Sequence, residues 1–198
     1  MQSMNGKMRY LAYVSYVFFI IIVALVNLNC QYDYSSPQPG IIEVHFRTIS
    51  TLIGHSELNN FLLKINSVTA IRADGGKQTV YEDIKAIDAS TRIVNALDYG
   101  ARDSTVVIGS AFAPPAQYVG VKVIFRTSQE IILHGYQVIQ VEQAENFDGS
   151  LFFQLPYPVS ESRKTIVVLT LDLDKSLLKG AFTYTFSPVY YISSYQVL

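Results

Sequence analysis

Three sets of residues in this 198-residue chain have types and spacings that chemistry could use. Asp172-x-Asp174-x-Ser176 has the alternating oxygen ligands that open an EF-hand calcium loop, where hard carboxylate and hydroxyl oxygens surround the cation. The match ends there. Leu177 stands at the sixth position, where glycine makes the sharp turn, and Thr183 at the twelfth, where a bidentate glutamate closes the site. Two acids at i and i+2 also share the solvent face of a strand end, so Asp172 and Asp174 are weak metal candidates and read first as solvated or turn-capping residues. The second set is His45, His55 and His134. No HExxH or paired spacing links them, and each reads as a surface or turn residue rather than a zinc ligand. The third is Cys30, the single cysteine, which excludes an intramolecular disulfide.

Signatures of turnover are weak. Gly109-Ser110 is followed by Ala111 and Phe112, so it lacks the second glycine of a nucleophile elbow. Gly75-Gly76 has no Gly-Lys-Ser after it and reads as a hairpin turn, not a phosphate cradle. Glu142 and Glu145 are spaced like acids along an exposed strand rather than a glycosidase pair. The expectation is a protein with no catalytic and no cofactor-binding residues.

Composition sets the frame for these side chains. Beyond residue 30 there are 13 Lys plus Arg against 16 Asp plus Glu, a net charge of −3, without the basic patch that a phosphate backbone demands. Nucleic acid is therefore not an expected partner. Fourteen Tyr and eleven Phe, with recurring Val, Ile and Thr, favour strands.

Residues 11–28 carry no charge and follow Lys7 and Arg9, the pattern of a positively charged n-region before an apolar h-region. This run is at the lower limit for spanning about 30 Å of hydrocarbon, so an uncleaved anchor competes with a signal peptide. Cys30 comes directly after, where a bacterial lipoprotein carries its lipidated cysteine. Val26-Asn27-Leu28-Asn29-Cys30 resembles a relaxed lipobox, with Asn29 in place of the usual small residue. The expectation is residues 1–29 as a lipoprotein signal, lipidation at Cys30, a Pro- and Gly-containing tether over 30–40, and a domain over 41–198. A retained helix and an unmodified thiol are the alternatives. Gln31 stands where the inner-membrane retention signal has Asp, which favours the outer membrane.

The domain reads as alternating strands. Ile42, Val44 and Phe46 share one face of 41–48, with Glu43, His45 and Arg47 opposite. Residues 49–60 read as a loop and 61–72 as a strand. Asp74-Gly75-Gly76 turns into a partner strand at 77–81. Residues 82–100 read as one short helical stretch or irregular chain. Further strands are expected at 105–109 and at 118–127, where Val119, Val121, Val123 and Phe125 face inward. A hairpin of 129–133 and 136–142 comes next, then a strand at 151–155 stopped by Pro156 and Pro158. The last pair lies within 164–192: Val167, Leu169, Leu171 and Leu173 share a face in the first, and Phe182, Tyr184, Phe186, Tyr190 and Ile192 in the second. Pro188 places this second strand at an edge or a bulge. The expected fold class is all-β, a single transthyretin- or Ig-like β-sandwich of about seven to nine strands.

Leu171-Asp172-Leu173-Asp174, Ser176-Leu177-Leu178-Lys179-Gly180 and Tyr184-Thr185-Phe186-Ser187-Pro188-Val189 resemble the C-terminal end of the bacterial family called domain of unknown function 4382. Ala113-Pro114-Pro115-Ala116-Gln117-Tyr118 is similar to that family's turn before a strand, with Gln117 in place of a glycine. The resemblance spans residues 40–193. It implies a lipoprotein with a transthyretin-type sandwich and assigns no activity. The functional expectation is a membrane-anchored envelope lipoprotein whose sandwich is a structural or binding module, its partner another envelope protein or a glycan. A hydrolase whose site converges only in three dimensions, and a small-ligand carrier, are the alternatives.

Overall fold

In the computed structural model, which describes residues 36–50, 58–83, 92–98, 104–133, 137–181, 183–191 and 193–198, the alternation of the first strand separates inside from outside. In chain order the strands are β1 (Gly40–Ile49), β2 (Leu58–Arg72), β3 (Lys77–Glu82), β4 (Arg92–Asn95), β5 (Val106–Ala113), β6 (Ala116–Phe125) and β7 (Gln129–Leu133). Then come β8 (Val138–Gln143), β9 (Ser150–Val159), β10 (Lys164–Asp172), a one-turn helix α1 (Leu173–Ser176), β11 (Leu177–Lys179), β12 (Tyr184–Phe186) and β13 (Ser194–Val197).

Ile42, Val44 and Phe46 of β1 are fully buried, and the residues between them are half-exposed. Two sheets form a sandwich around this inner face. A four-stranded sheet runs β13-β10-β1-β5, and a nine-stranded sheet is ordered β11-β12-β8-β7-β2-β6-β9 with β3 and β4 also paired to β2. Both are mixed. β1 and β10 run parallel, as do β8 and β12, while the other pairs are antiparallel. The larger sheet curls. Its spine is β2, which pairs with β7 and β4 over its first half and with β6 and β3 over its second. The slip in register opposite Ile65 and Ser67 lets inward-facing Phe61, Leu63 and Ile65 give way to Val68 and Ala70. Each such large side chain removed from water contributes about 1.5–3 kcal/mol.

The compact β unit runs Pro37–Leu198. Its all-β sandwich class agrees with the pattern of the sequence, and several local expectations do not. There are thirteen strands among the described residues, not seven to nine, because short strands are added beside β2 (β3, β4), at one end of the larger sheet (β11, β12) and at the edge of the smaller one (β13). Arg92–Asn95 is a strand, neither helical nor irregular; it pairs with Leu62–Ile65, burying Val94 and leaving Ile93 outside. β2 begins at Leu58, inside the stretch expected to be loop. Pro156 and Pro158 do not stop β9. This strand is the sheet edge, paired only with β6, and the register slip opposite Tyr118 and Gly120 absorbs a residue there, so the missing N–H groups cost no ladder bond. The same slip changes the expected facing only at the start of β6: Tyr118 is buried and Val119 half-buried, while Val121, Val123 and Phe125 point inward as the pattern requires.

The C-terminal segment departs most. The strand at 164–172 is central and buried on both faces toward its end, as its aliphatic run demands. Beyond it the chain does not form one long strand. α1 and β11 intervene, β12 covers only Tyr184–Phe186, and Tyr190 makes one isolated bridge to Leu171. β13 then returns to pair with β10. Phe182 and Ile192 lie outside the described residues.

Candidate functional site

Strand register makes the outer face of the four-stranded sheet a grid. Directly paired residues share a face, so one row holds Ser110, Glu43, Ile166 and Gln196, and the next Val107, His45, Val168 and Ser194. Arg47 and Thr170 begin a further row, tied by a 3.0 Å bond from Arg47 Nε to the Thr170 hydroxyl. The polar stripe of β1 is thus flanked on the β10 side by half-buried Ile166 and Val168 and on the β5 side by exposed Ser110 and Val107.

His45 is the centre of the stripe. Its Nε2 lies 2.7 Å from Glu43 Oε1, and its Nδ1 lies 2.9 Å from the Thr105 hydroxyl. A carboxylate only accepts, so in the neutral ring Nε2 carries the proton and Thr105 donates to Nδ1. Lys164 Nζ reaches the other Glu43 oxygen at 2.9 Å. The hydrogen bond from His45, and then that from Lys164, hold the Glu43 carboxyl below the usual carboxylate range. The order hydroxyl–imidazole–carboxylate is one that can activate a nucleophile. Two features oppose it: Lys164 neutralises the carboxylate that would support the imidazolium, and Thr105 stands exposed on the sheet surface rather than in a cleft.

The pairing has a consequence for stability. A carboxyl whose folded value is depressed stabilises the fold fully above its unfolded value, near 4.5, and loses that contribution as pH falls through the folded value. Glu130, bonded by Lys64 at 2.6 Å, is depressed in the same sense. Glu43→Gln should therefore shrink the fall in urea midpoint between about pH 6 and about pH 3. Equal falls in the variant and the wild type would show that the stripe contributes nothing.

The other sequence candidates stay apart. Asp172 caps α1, its Oδ1 accepting from the Lys175 N–H at 3.2 Å, while Lys175 Nζ sits 2.8 Å from Oδ2. Asp174 accepts from the Ser50 hydroxyl at 2.6 Å, and the Ser176 hydroxyl is spent on the backbone of Asp172 and Val189. The three oxygens that a cation site would have to bring together thus serve three separate contacts, because a helical turn replaces the extended loop that an EF-hand needs. Among the described residues, no group of three or more His, Cys, Asp or Glu is placed to hold a metal ion. Ser110 is mid-strand, and Glu142 and Glu145 are exposed on β8 and the turn after it. Gly75 and Gly76 do form the β2–β3 turn: Gly75 has φ +85°, and Asp74 Oδ1 accepts from the Gly76 N–H at 2.9 Å. Cys30, His55 and His134 lie outside the described residues.

Two further features bear on binding. A shallow opening of about 170 Å³ lies between the β7–β8 and β11–β12 hairpins, bordered by Leu133, Ile139, Lys179, Thr183 and Tyr184. It is smaller than the roughly 300–1,000 Å³ of ordinary ligand pockets. On the C-terminal segment, Tyr190, Tyr191 and Tyr195 are 45, 47 and 45% exposed. Alternation would have buried either Tyr190 or Tyr191, but the chain there is not a strand, so both reach solvent. Tyr190 leans on Phe153 and Tyr195 on Tyr157, with ring centroids 5.7 and 6.3 Å apart. The Tyr cluster was visible in the sequence. The Thr105–His45 contact was not, since sixty residues separate the two and no spacing rule joins them. Comparison of the chain with models of known protein families, with curated proteins and with solved structures finds no match.

Proposed function

We propose that this chain is a membrane-tethered envelope protein whose β-sandwich is a binding module for another envelope protein or a glycan, with no turnover of its own. One observation carries the binding half: three half-exposed tyrosines, Tyr190, Tyr191 and Tyr195, of which Tyr190 and Tyr195 are seated on the buried rings of Phe153 and Tyr157. Tyr gives large, stiff contact area with a polar tip, the chemistry favoured at recognition surfaces. The membrane half rests on the apolar run before Cys30, its lipobox-like flank and the resemblance to domain of unknown function 4382; lipid on Cys30 holds the protein to the outer membrane. No helix among the described residues is long and apolar enough to cross a bilayer.

A photo-cross-linking residue in place of Tyr191 should capture a discrete partner in intact cells, and the same residue in place of exposed Glu145 should not. Equal yields at the two positions would rule out the tyrosine surface as the binding face. The contact of His45 with Glu43 and Thr105 favours a second reading, an anchored hydrolase with Thr105 as nucleophile. Loss of ester turnover by purified protein on Thr105→Ala would support it; turnover unchanged by that substitution would exclude it.

A further inference from the structure

Phe112 is the most exposed large hydrophobic residue among those described, at 71%. Its place in the sheet is specific. Ile41 pairs with Phe112 on one side and with Lys164 on the other, and Leu198, 57% exposed, comes next where its N–H donates to the Lys164 carbonyl at 2.8 Å. One row across all four strands therefore reads Phe112, Ile41, Lys164, Leu198, at the end of the sheet where the chain enters at Gly40. Arg163 is exposed beside it, its carbonyl accepting from the Ile41 N–H at 2.9 Å.

We propose that this entry-end row is a membrane-docking edge, with Phe112 and Leu198 entering the headgroup boundary of the bilayer that carries the anchor. The proposal rests on the reading of Cys30 as lipidated. Ten residues lead from Cys30 to Gly40 and span at most about 36 Å when fully extended, so Gly40 stays within that distance of the bilayer. Tethering at such range gives an effective concentration of order millimolar, which lets a small patch engage without strong affinity. The row has the composition of an interfacial contact: an aromatic ring and aliphatic side chains at the boundary, with basic groups level with the headgroups. Lys164 is shared with Glu43, and exposed Glu161 lies in the adjoining turn, so the apolar contact leads and the charge assists. On a freely diffusing protein an apolar row of this kind favours association. Facing a bilayer, it is covered.

The chain contains no tryptophan, so a single introduced Trp reports its own surroundings. Full-length Phe112→Trp and Leu178→Trp proteins are purified from membranes and reconstituted in vesicles that contain brominated phospholipid. Leu178 is 51% exposed on β11 of the larger sheet, which the chain reaches through α1 after β10 has run from the Gly40 end to the Ile49 end of the smaller sheet. Expected is co-flotation of both variants, with emission quenched about two-fold or more at position 112, as for a ring at the boundary, and unquenched at 178. Co-flotation with no quenching at 112, or with equal quenching at both positions, overturns the docking edge and leaves the anchor standing. Failure to float overturns the anchor and the docking edge together.

Discussion

Phe186→Ala lowers the stability of the sandwich by about 3–5 kcal/mol, the range for removing a fully buried aromatic ring. The size of the loss reflects how much the ring holds together. Phe186 has no exposed surface and meets Phe61, Phe125 and Phe147 edge-on, at centroid separations of 5.6, 5.6 and 5.9 Å. Those partners come from β2, from β6 and from the segment after β8, so one side chain joins the spine of the larger sheet to its far edge. The backbone offers little substitute, because β12 is three residues long and meets β8 through only Thr185 and Phe186. Edge-to-face pairs add about 0.5–1.5 kcal/mol each beyond burial, and the cavity left behind cannot close while three other rings hold its walls. Urea unfolding measures the loss, with Thr185→Ala as the exposed-side comparison. A loss below about 1 kcal/mol would mean that the β11–β12 hairpin is not seated on this cluster.

Gly120→Ala is the second large effect, and its cause is contact rather than backbone freedom. A methyl group at Gly120 would lie 2.4 Å from the Phe153 carbonyl oxygen and 2.6 Å from the tip of the Phe152 ring. The Phe152 ring, 41% exposed, can swing away. The carbonyl belongs to the β9 backbone and cannot move unless the strand moves. Among the described strands β9 pairs with β6 alone, and Pro156 and Pro158 give it fewer donors to spare. Displacing it should cost about 1–3 kcal/mol, the usual range for overpacking, and should raise amide exchange along 150–159 more than elsewhere. Stability equal to wild type would show that β9 lies farther from β6 than the close approach at Gly120 implies.

How much of this was legible in the residues depends on the range of the cause. Period-two alternation acts locally, so β1, the inward set Val121, Val123 and Phe125, and the Asp74-Gly75-Gly76 turn are written in neighbouring letters. β4 is too short to show a period, and it is a strand because Leu62–Ile65 offers an unpaired edge to Arg92–Asn95. The β6 bulge places Tyr118 inside and Val119 outside through a register slip against β9, which neither strand shows alone. Glu43 and His45, two apart on one strand, were bound to share a face. Lys164 and Thr105 join them only because β10 and the segment before β5 flank β1 in the folded sheet. Asp172 and Asp174 lost their apparent kinship for a related reason: α1 turns the second carboxylate toward Ser50. The C-terminal aromatics looked like one strand because Tyr184, Phe186 and Tyr190 keep an even spacing, yet Pro188 cannot donate to a ladder and the pairing ends before it.

The proposed function divides the chain's apolar residues by use: those before Cys30 would serve attachment, while those beyond Gly40 fill the space between two sheets. Metabolic labelling with a fatty acid, together with membrane fractionation of wild type and Cys30→Ala, tests that division most directly. Label on the wild type alone, with the variant released from membranes, is the predicted result. A variant that stays in the membrane, or a wild type that takes up no label, would contradict it.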